Sequence, residues 1–351
     1  MAEVCIRERM RPRTLFISAV CLVTFLFIIV SGSWAVLPIC GDLNGSGAVD
    51  TEDIIYSIDY IYRAGPAPAH SETGDVNCNY KINILDITYL INYLFRNGFR
   101  PCINCRSMAV YGDSRTNHTV HQQIADMITS TYPSIVFHTG DLVENGNYQG
   151  QWDIFNSITS GMRTVAEFYP SLGNHENQSP LYFQNFELPN NEQWYSVERN
   201  NIHFVVLNSC IPIDTVSEQY LWLKNDLAGI NDSIKYTVAV FHYPPYSAGQ
   251  HTEDEKGLRQ ILIPLFEEYG IDIVFTGHDH DYERSFCGGI YYIVTGGGGA
   301  PLRGQARTHP CSQLFLMKYN FCILKLLKDR LVVKVFDNNS QMIDQFEVIG
   351  R

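Results

Sequence analysis

Six residues in this chain of 351 have side chains suited to holding metal: Asp113, Asp141, Asn174, His242, His278 and His280. Five of them stand in a repeated context, in which a short apolar run ends in glycine and a ligand-type residue follows. The runs are Ala109-Val110-Tyr111-Gly112-Asp113, Ile135-Val136-Phe137-His138-Thr139-Gly140-Asp141, Tyr169-Pro170-Ser171-Leu172-Gly173-Asn174-His175 and Ile273-Val274-Phe275-Thr276-Gly277-His278-Asp279-His280. His242 closes a fifth apolar run, after which Pro244-Pro245 turns the chain away. Two carboxylates, one amide and three imidazoles form a mixed oxygen–nitrogen set that suits Mn, Zn, Fe or Mg and not copper–thiolate chemistry. His278 and His280 are two apart, so an extended chain points both to one side.

The elements needed to position these residues follow from the pattern. Each run predicts a buried strand that stops at a turn and aims its ligand out of the strand end. Several such strands in one sheet gather their ligands at one place. Polar helical stretches alternate with the runs, among them Val120 to Thr131 and Lys256 to Tyr269. The C-terminus predicts four successive strands over Leu314 to Tyr319, Phe321 to Leu327, Leu331 to Phe336 and Met342 to Val348. Lys328-Asp329 and Asn338-Asn339 are their hairpin turns. Together these imply two packed sheets flanked by helices.

A different chemistry precedes this region. Residues 41–65 and 74–98 are two copies of one unit, a loop followed by an amphipathic helix. Oxygen ligands at the first, third, fifth, ninth and twelfth loop positions can wrap one calcium ion. The first loop offers Asp42, Asn44, Ser46, Asp50 and Asp53, with Gly47 at the sharp turn. The second offers Asp75, Asn77, Asn79, Asn83 and Asp86, but Tyr80 replaces the glycine. That replacement, with three neutral amides, predicts a weaker second site, so one or two Ca2+ are expected. Gly65 and Gly98 close the units and suit helix C-caps.

Composition narrows the partners. A net charge of −12 argues against nucleic acid, which is gripped by clustered Lys and Arg. Four arginines precede the apolar stretch Leu15 to Val30, and Ser33-Trp34-Ala35 offers a small-residue cleavage site. Residues 1–35 are therefore expected to be a signal peptide of bacterial type, leaving a secreted or cell-surface protein with no stable membrane insertion. Ten cysteines less two in that leader leave eight, an even number that in an exported chain suggests disulfides of undetermined pairing.

At these residues two resemblances stand out. Residues 36–105 resemble a dockerin, the duplicated calcium-loop module that docks into cohesin domains, including Asp at the last ligand position (Asp53, Asp86). The resemblance implies a small all-α domain of two EF-hand-like repeats and a cohesin-type scaffold partner, with Thr51-Glu52 and Ile84-Leu85 at the recognition positions. Residues 106–351 resemble a calcineurin-like metallophosphoesterase of the purple acid phosphatase-like branch, in the order Asp113, Gly140-Asp141, Gly173-Asn174-His175-Glu176, His242 and Gly277-His278-Asp279-His280, with Tyr282-Glu283-Arg284 following. This implies a four-layer αββα sandwich, a phosphate-ester substrate and two divalent or trivalent ions (Fe, Zn or Mn) that activate a hydroxide. Asp141 would bridge them; Asn174, His242 and His278 would complete one site, Asp113 and His280 the other. His175 would contact the phosphoryl group or protonate the leaving group.

Two departures from the family pattern fall beside Asp113 and Asp141. Arg115 stands where the broad family has a histidine, and Glu144 where the purple branch has a tyrosine. Arg115 is expected to bind a substrate phosphate or to form a salt bridge. The alternative to a secreted phosphoesterase tethered by its dockerin-like module is a binding protein on the same fold that has lost turnover.

Overall fold

The computed structural model describes residues 39–68, 71–77, 81–98, 101, 107–327 and 330–349. The expected signal peptide, Asn79, Tyr80, Cys78, Cys102, Cys105 and the turn at 328–329 lie outside the described residues.

Strands β1 (Met108–Tyr111), β2 (Ile135–His138) and β3 (Glu167–Pro170) pair in parallel, and antiparallel β11 (Asn320–Leu326), β12 (Arg330–Asp337) and β13 (Met342–Ile349) extend the sheet on the β1 side. A second sheet runs β10-β8-β9-β7-β6-β5-β4, built from β4 (Tyr195–Arg199), β5 (Ile202–Val206), β6 (Tyr236–Val240), β7 (Ile273–Thr276), β8 (Tyr282–Cys287), β9 (Ile290–Thr295) and β10 (Ser312–Leu316).

Strand alternation sorts the side chains into layers. Met108, Val110, Ile135 and Phe137 face the other sheet and meet Phe204, Val238, Val240 and Phe275 in one core, where the Phe137 and Phe204 rings stack at 4.4 Å. Ala109, Tyr111 and Val136 face outward, against α4 (His118–Ser130) and α5 (Gln149–Val165), and the short α6 (Pro180–Asn185) follows β3 in the chain. Val205, Ala239 and Val274 cover the outer face of the second sheet, against α7 (Glu218–Ala228) and α8 (Leu258–Tyr269). The result is the αββα sandwich expected from the sequence. The C-terminal hairpins are where the pattern put them, but the β12–β13 connection takes four residues instead of two. The Asp337 carboxylate accepts from the backbone N–H groups of Asn339 and Gln341 and holds that longer turn.

In the N-terminal segment the described elements are helices: α1 (Thr51–Tyr62), the single turn α2 (Ser71–Gly74) and α3 (Ile84–Phe95). Asp50 and Asn83 cap α1 and α3, each in a reciprocal capping box with Asp53 and Asp86. Asp53 also accepts from the N–H groups of Leu43 and Asn44, and Asp86 from that of Asn77, so each last-position carboxylate ties its loop to its helix. The helix ends differ from expectation. The left-handed residues are Ala64 and Asn97, while Gly65 and Gly98 follow and donate back to Asp59 and Asn92. Glycine is needed there because a Cβ would meet the backbone of Asp59 or Asn92 at 2.9 Å.

A bridge joins Cys287 to Cys311, whereas Cys210 and Cys322 are free thiols. No helix among the described residues is long and apolar enough to cross a membrane.

Candidate metal centre

The six ligand-type residues all follow the C-terminal ends of parallel strands: Asp113 after β1, Asp141 after β2, Asn174 after β3, His242 after β6, and His278 and His280 after β7. Three of them hold left-handed backbone, with φ of 56° at Asp113, 58° at Asp141 and 69° at His278. For residues with a Cβ this is costly and concentrates where function over-determines the turn. Gly140, at φ 94°, allows the chain to pass Gly173, whose Cα would lie 2.8 Å from an added Cβ.

Two clusters form, and Asp141 belongs to both. In the first, Asn174 Oδ1 lies 2.9 Å from His242 Nε2 and 3.2 Å from His278 Nδ1, and those two nitrogens are 3.2 Å apart. Asp141 Oδ1 is 3.4 Å from His242 Nε2. Proton positions, assigned from the partners, decide what this means. His242 Nδ1 donates to the Thr139 carbonyl at 2.9 Å, and His278 Nε2 faces the Glu255 carboxylate at 3.2 Å. The facing nitrogens therefore both present lone pairs, and beside them sit an amide oxygen and a carboxylate. Burial drives both imidazoles toward the neutral form, lowering each pKa. Acceptors converging without a proton between them fit a cation, with ligand types that Zn, Mn or Fe accept.

In the second cluster, ligand atoms of Asp113, Asp141 and His280 lie within 4.8 Å of one another, all buried. Burial and the Asp141 charge push the Asp113 carboxyl well above the usual carboxylate range, so two ionised carboxylates here call for a cation. The guanidinium of Arg115 is already among them. Its Nε is 3.4 Å from Asp141 Oδ2, its Nη2 is 3.3 Å from His280 Nε2, and its Nη1 is bonded to Glu144. The salt bridge named for Arg115 from sequence is thus present, but it is buried and not on the surface.

His175 borders both clusters. Its Nδ1 donates to the Glu144 carbonyl at 2.7 Å, and its Nε2 is 3.7 Å from Asp141 Oδ2. His138, next to this site in sequence, is a packed core residue that contacts Ser114 Oγ at 3.0 Å.

Several contributors carried no role in the sequence reading. Glu176 is fully buried and accepts from the N–H groups of Asp141, Leu142, Val143 and Gly173, fixing the turn that carries Asp141. Ser209 Oγ accepts from the His242 N–H, and Glu255 orients His278. The His251 ring stacks on His278 at 3.8 Å and is held by Asp279. Glu176 directly follows the Asn174-His175 pair, which was the one signal available for it. Asp279 likewise sits between His278 and His280, whereas Ser209 and Glu255 reach the site only through folding.

Both the sequence and the fold match known proteins. Residues 110–282 match the calcineurin-like phosphoesterase family model, and residues 40–95 match the dockerin type I domain. Purple acid phosphatase 15 of Arabidopsis thaliana is 31% identical over 198 residues, covering 50% of this chain and 36% of that protein. Purple acid phosphatase 18 of the same plant is 32% identical over 197 residues, covering 48% of this chain and 44% of its own length. The chain thus spans less than half the length of either relative. A purple acid phosphatase from yellow lupin seeds shares the fold, with a TM-score of 0.65 at 20% identity over 70% of this chain and 53% of that one. GAP50, described as the anchor in the inner membrane complex of Plasmodium, shares it with a TM-score of 0.59 at 19% identity, over 70% of this chain and 90% of its own. The chain therefore carries a calcineurin-like phosphoesterase domain, similar to that of purple acid phosphatases, preceded by a dockerin type I domain.

Proposed function

We propose that the protein is an exported, metal-dependent phosphoesterase that hydrolyses phosphate esters by direct attack of water. The observation that carries this reading is the convergence of Asn174 Oδ1, His242 Nε2, His278 Nδ1 and Asp141 Oδ1, four acceptors with no donor among them. In this reading those residues hold a metal ion, and Asp113, His280 and the shared Asp141 hold a second positive centre beside it. Bound metal supplies charge neutralisation for the phosphoryl oxygens and water of lowered pKa. Glu255 and the Thr139 carbonyl keep the two imidazoles in their ligating tautomers. Glu176 and the left-handed turns fix the carboxylates before substrate arrives. His175, anchored through Nδ1, turns Nε2 toward the site to place a proton on the departing alkoxide. No side-chain nucleophile is required.

The first loop would hold calcium through Asp42, Asn44, Ser46, Asp50 and Asp53, and the second, more weakly, through Asp75, Asn77, Asn79, Asn83 and Asp86. The dockerin domain, bounded near residue 105, would tether the enzyme to a cohesin-type scaffold outside the cell. The leader-like residues 1–35 and the Cys287–Cys311 bridge support export.

The test is hydrolysis of an aryl phosphate monoester and diester by the full chain supplied with Mn or Zn. Activity should depend on metal, and Asp141→Asn or His175→Ala should each lower it by about 10²-fold or more. Inactivity toward both esters with every metal would refute the reading. It would favour the non-catalytic alternative, for which the Arg115 guanidinium inside the second cluster is the specific observation.

A further inference from the structure

We propose that the guanidinium of Arg115 permanently takes the place of the second metal ion, so that this centre binds one ion, at Asn174, His242, His278 and Asp141. The inference rests on the reading of those four residues as a metal site.

The two clusters are unequal. The first has four ligand atoms and no positive group among them. The second offers three residues, Asp113, His280 and the shared Asp141. Arg115 already engages two of these. His280 Nδ1 donates to the Pro301 carbonyl at 2.8 Å, so the lone pair left on Nε2 is the one that meets Arg115 Nη2 at 3.3 Å. Arg115 Nε stands 3.4 Å from Asp141 Oδ2, on the side of that carboxylate turned away from His242. Glu144, the carboxylate on the far side of the guanidinium, has Oε2 committed to Arg115 Nη1 and Thr116 Oγ1.

Arg115 is also built in. It is only 9% exposed, and arginine does not shed its proton in a protein. Buried, it is stable only against charges of opposite sign, and Asp141 and Glu144 supply them, with Asp113 close by. A metal ion placed among the Asp113, Asp141 and His280 ligand atoms would therefore stand beside a fixed cation. To admit it, Arg115 would have to leave its buried partners. A guanidinium in that position neutralises the carboxylates as an ion would, and its planar donors match two phosphoryl oxygens. Unlike a metal ion, it cannot be removed by a chelator or exchanged.

The experiment counts Mn in the full chain after loading with Mn in the presence of excess calcium, which keeps the dockerin loops filled, and desalting, with calcium counted separately by element. Wild type should retain one equivalent of Mn, and its electron paramagnetic resonance should be that of an isolated ion. His242→Ala should lose that equivalent. Arg115→His, which exchanges the guanidinium for a ligand, should retain two equivalents with the signature of a coupled pair, whereas Arg115→Lys should stay at one. Two equivalents in wild type would overturn the inference and leave the Asn174 site intact. One equivalent that survives His242→Ala would overturn it by putting the ion in the wrong half. No retained Mn would overturn both the inference and the site reading beneath it.

Discussion

Glu176→Ala removes the carboxylate that organises the Asp141 turn, and the structure sets the size of the effect. Four backbone N–H groups converge on this side chain, from Asp141 at 2.9 Å, Leu142 at 2.8 Å, Val143 at 3.2 Å and Gly173 at 2.7 Å. Glu176 is fully buried, so the donors lose their partner in a place with little access to water. Each orphaned buried donor costs about 1–3 kcal/mol. If a water enters and satisfies some of them, the net loss is still about 4 kcal/mol. Urea unfolding of metal-depleted full-length protein reads this as a lowered midpoint at unchanged slope, free of stabilisation by bound ions. The same variant should also bind metal about 10- to 100-fold more weakly, because the support of Asp141 is gone. A loss below about 1 kcal/mol together with unchanged metal affinity would refute the view that Glu176 holds the turn.

Acid should destabilise the protein through His121, which burial lowers to about 3, with the nearby His118 charge adding to the shift. Between that value and the usual histidine range the unfolded chain binds a proton that the native state refuses. Stability therefore falls as pH drops below about 6.5, by about 2–3 kcal/mol at pH 4.5. His121→Gln should flatten this slope in pH-dependent unfolding, and an unchanged slope would contradict it. In the dockerin domain, calcium titration should resolve a tighter site lost in Asp53→Ala and a weaker one lost in Asp86→Ala. Two sites of equal affinity would contradict the cost assigned to Tyr80 in the second loop.

Much of this was legible because the signals are local. An apolar run, a glycine and a ligand residue are contiguous, so the strand ends carrying Asp113, Asp141, Asn174 and His278 could be read directly. The same holds for the C-terminal strands and the two calcium-type loops. Sheet order is not local: β1 pairs on one side with β2 and on the other with β11, more than two hundred residues beyond β1 in sequence, because the chain's last hairpins return to the first strand of the domain. Arg115 shows the same limit at the site. Its position beside Asp113 was visible as a departure, but its direction depends on Asp141 and Glu144, which follow β2, and on His280, which follows β7. Ser209 and Glu255 likewise reach His242 and His278 only after β5, β6 and α8 have packed.

The central claim is that Asn174, His242, His278 and Asp141 hold a metal ion. Anomalous diffraction from a crystal of the full chain loaded with Mn or Zn tests it most directly. The account predicts a peak about 2.0–2.3 Å from Asn174 Oδ1, His242 Nε2, His278 Nδ1 and Asp141 Oδ1. A crystal at saturating metal with no peak among these four atoms, or with its strongest peak elsewhere in the phosphoesterase domain, would contradict it.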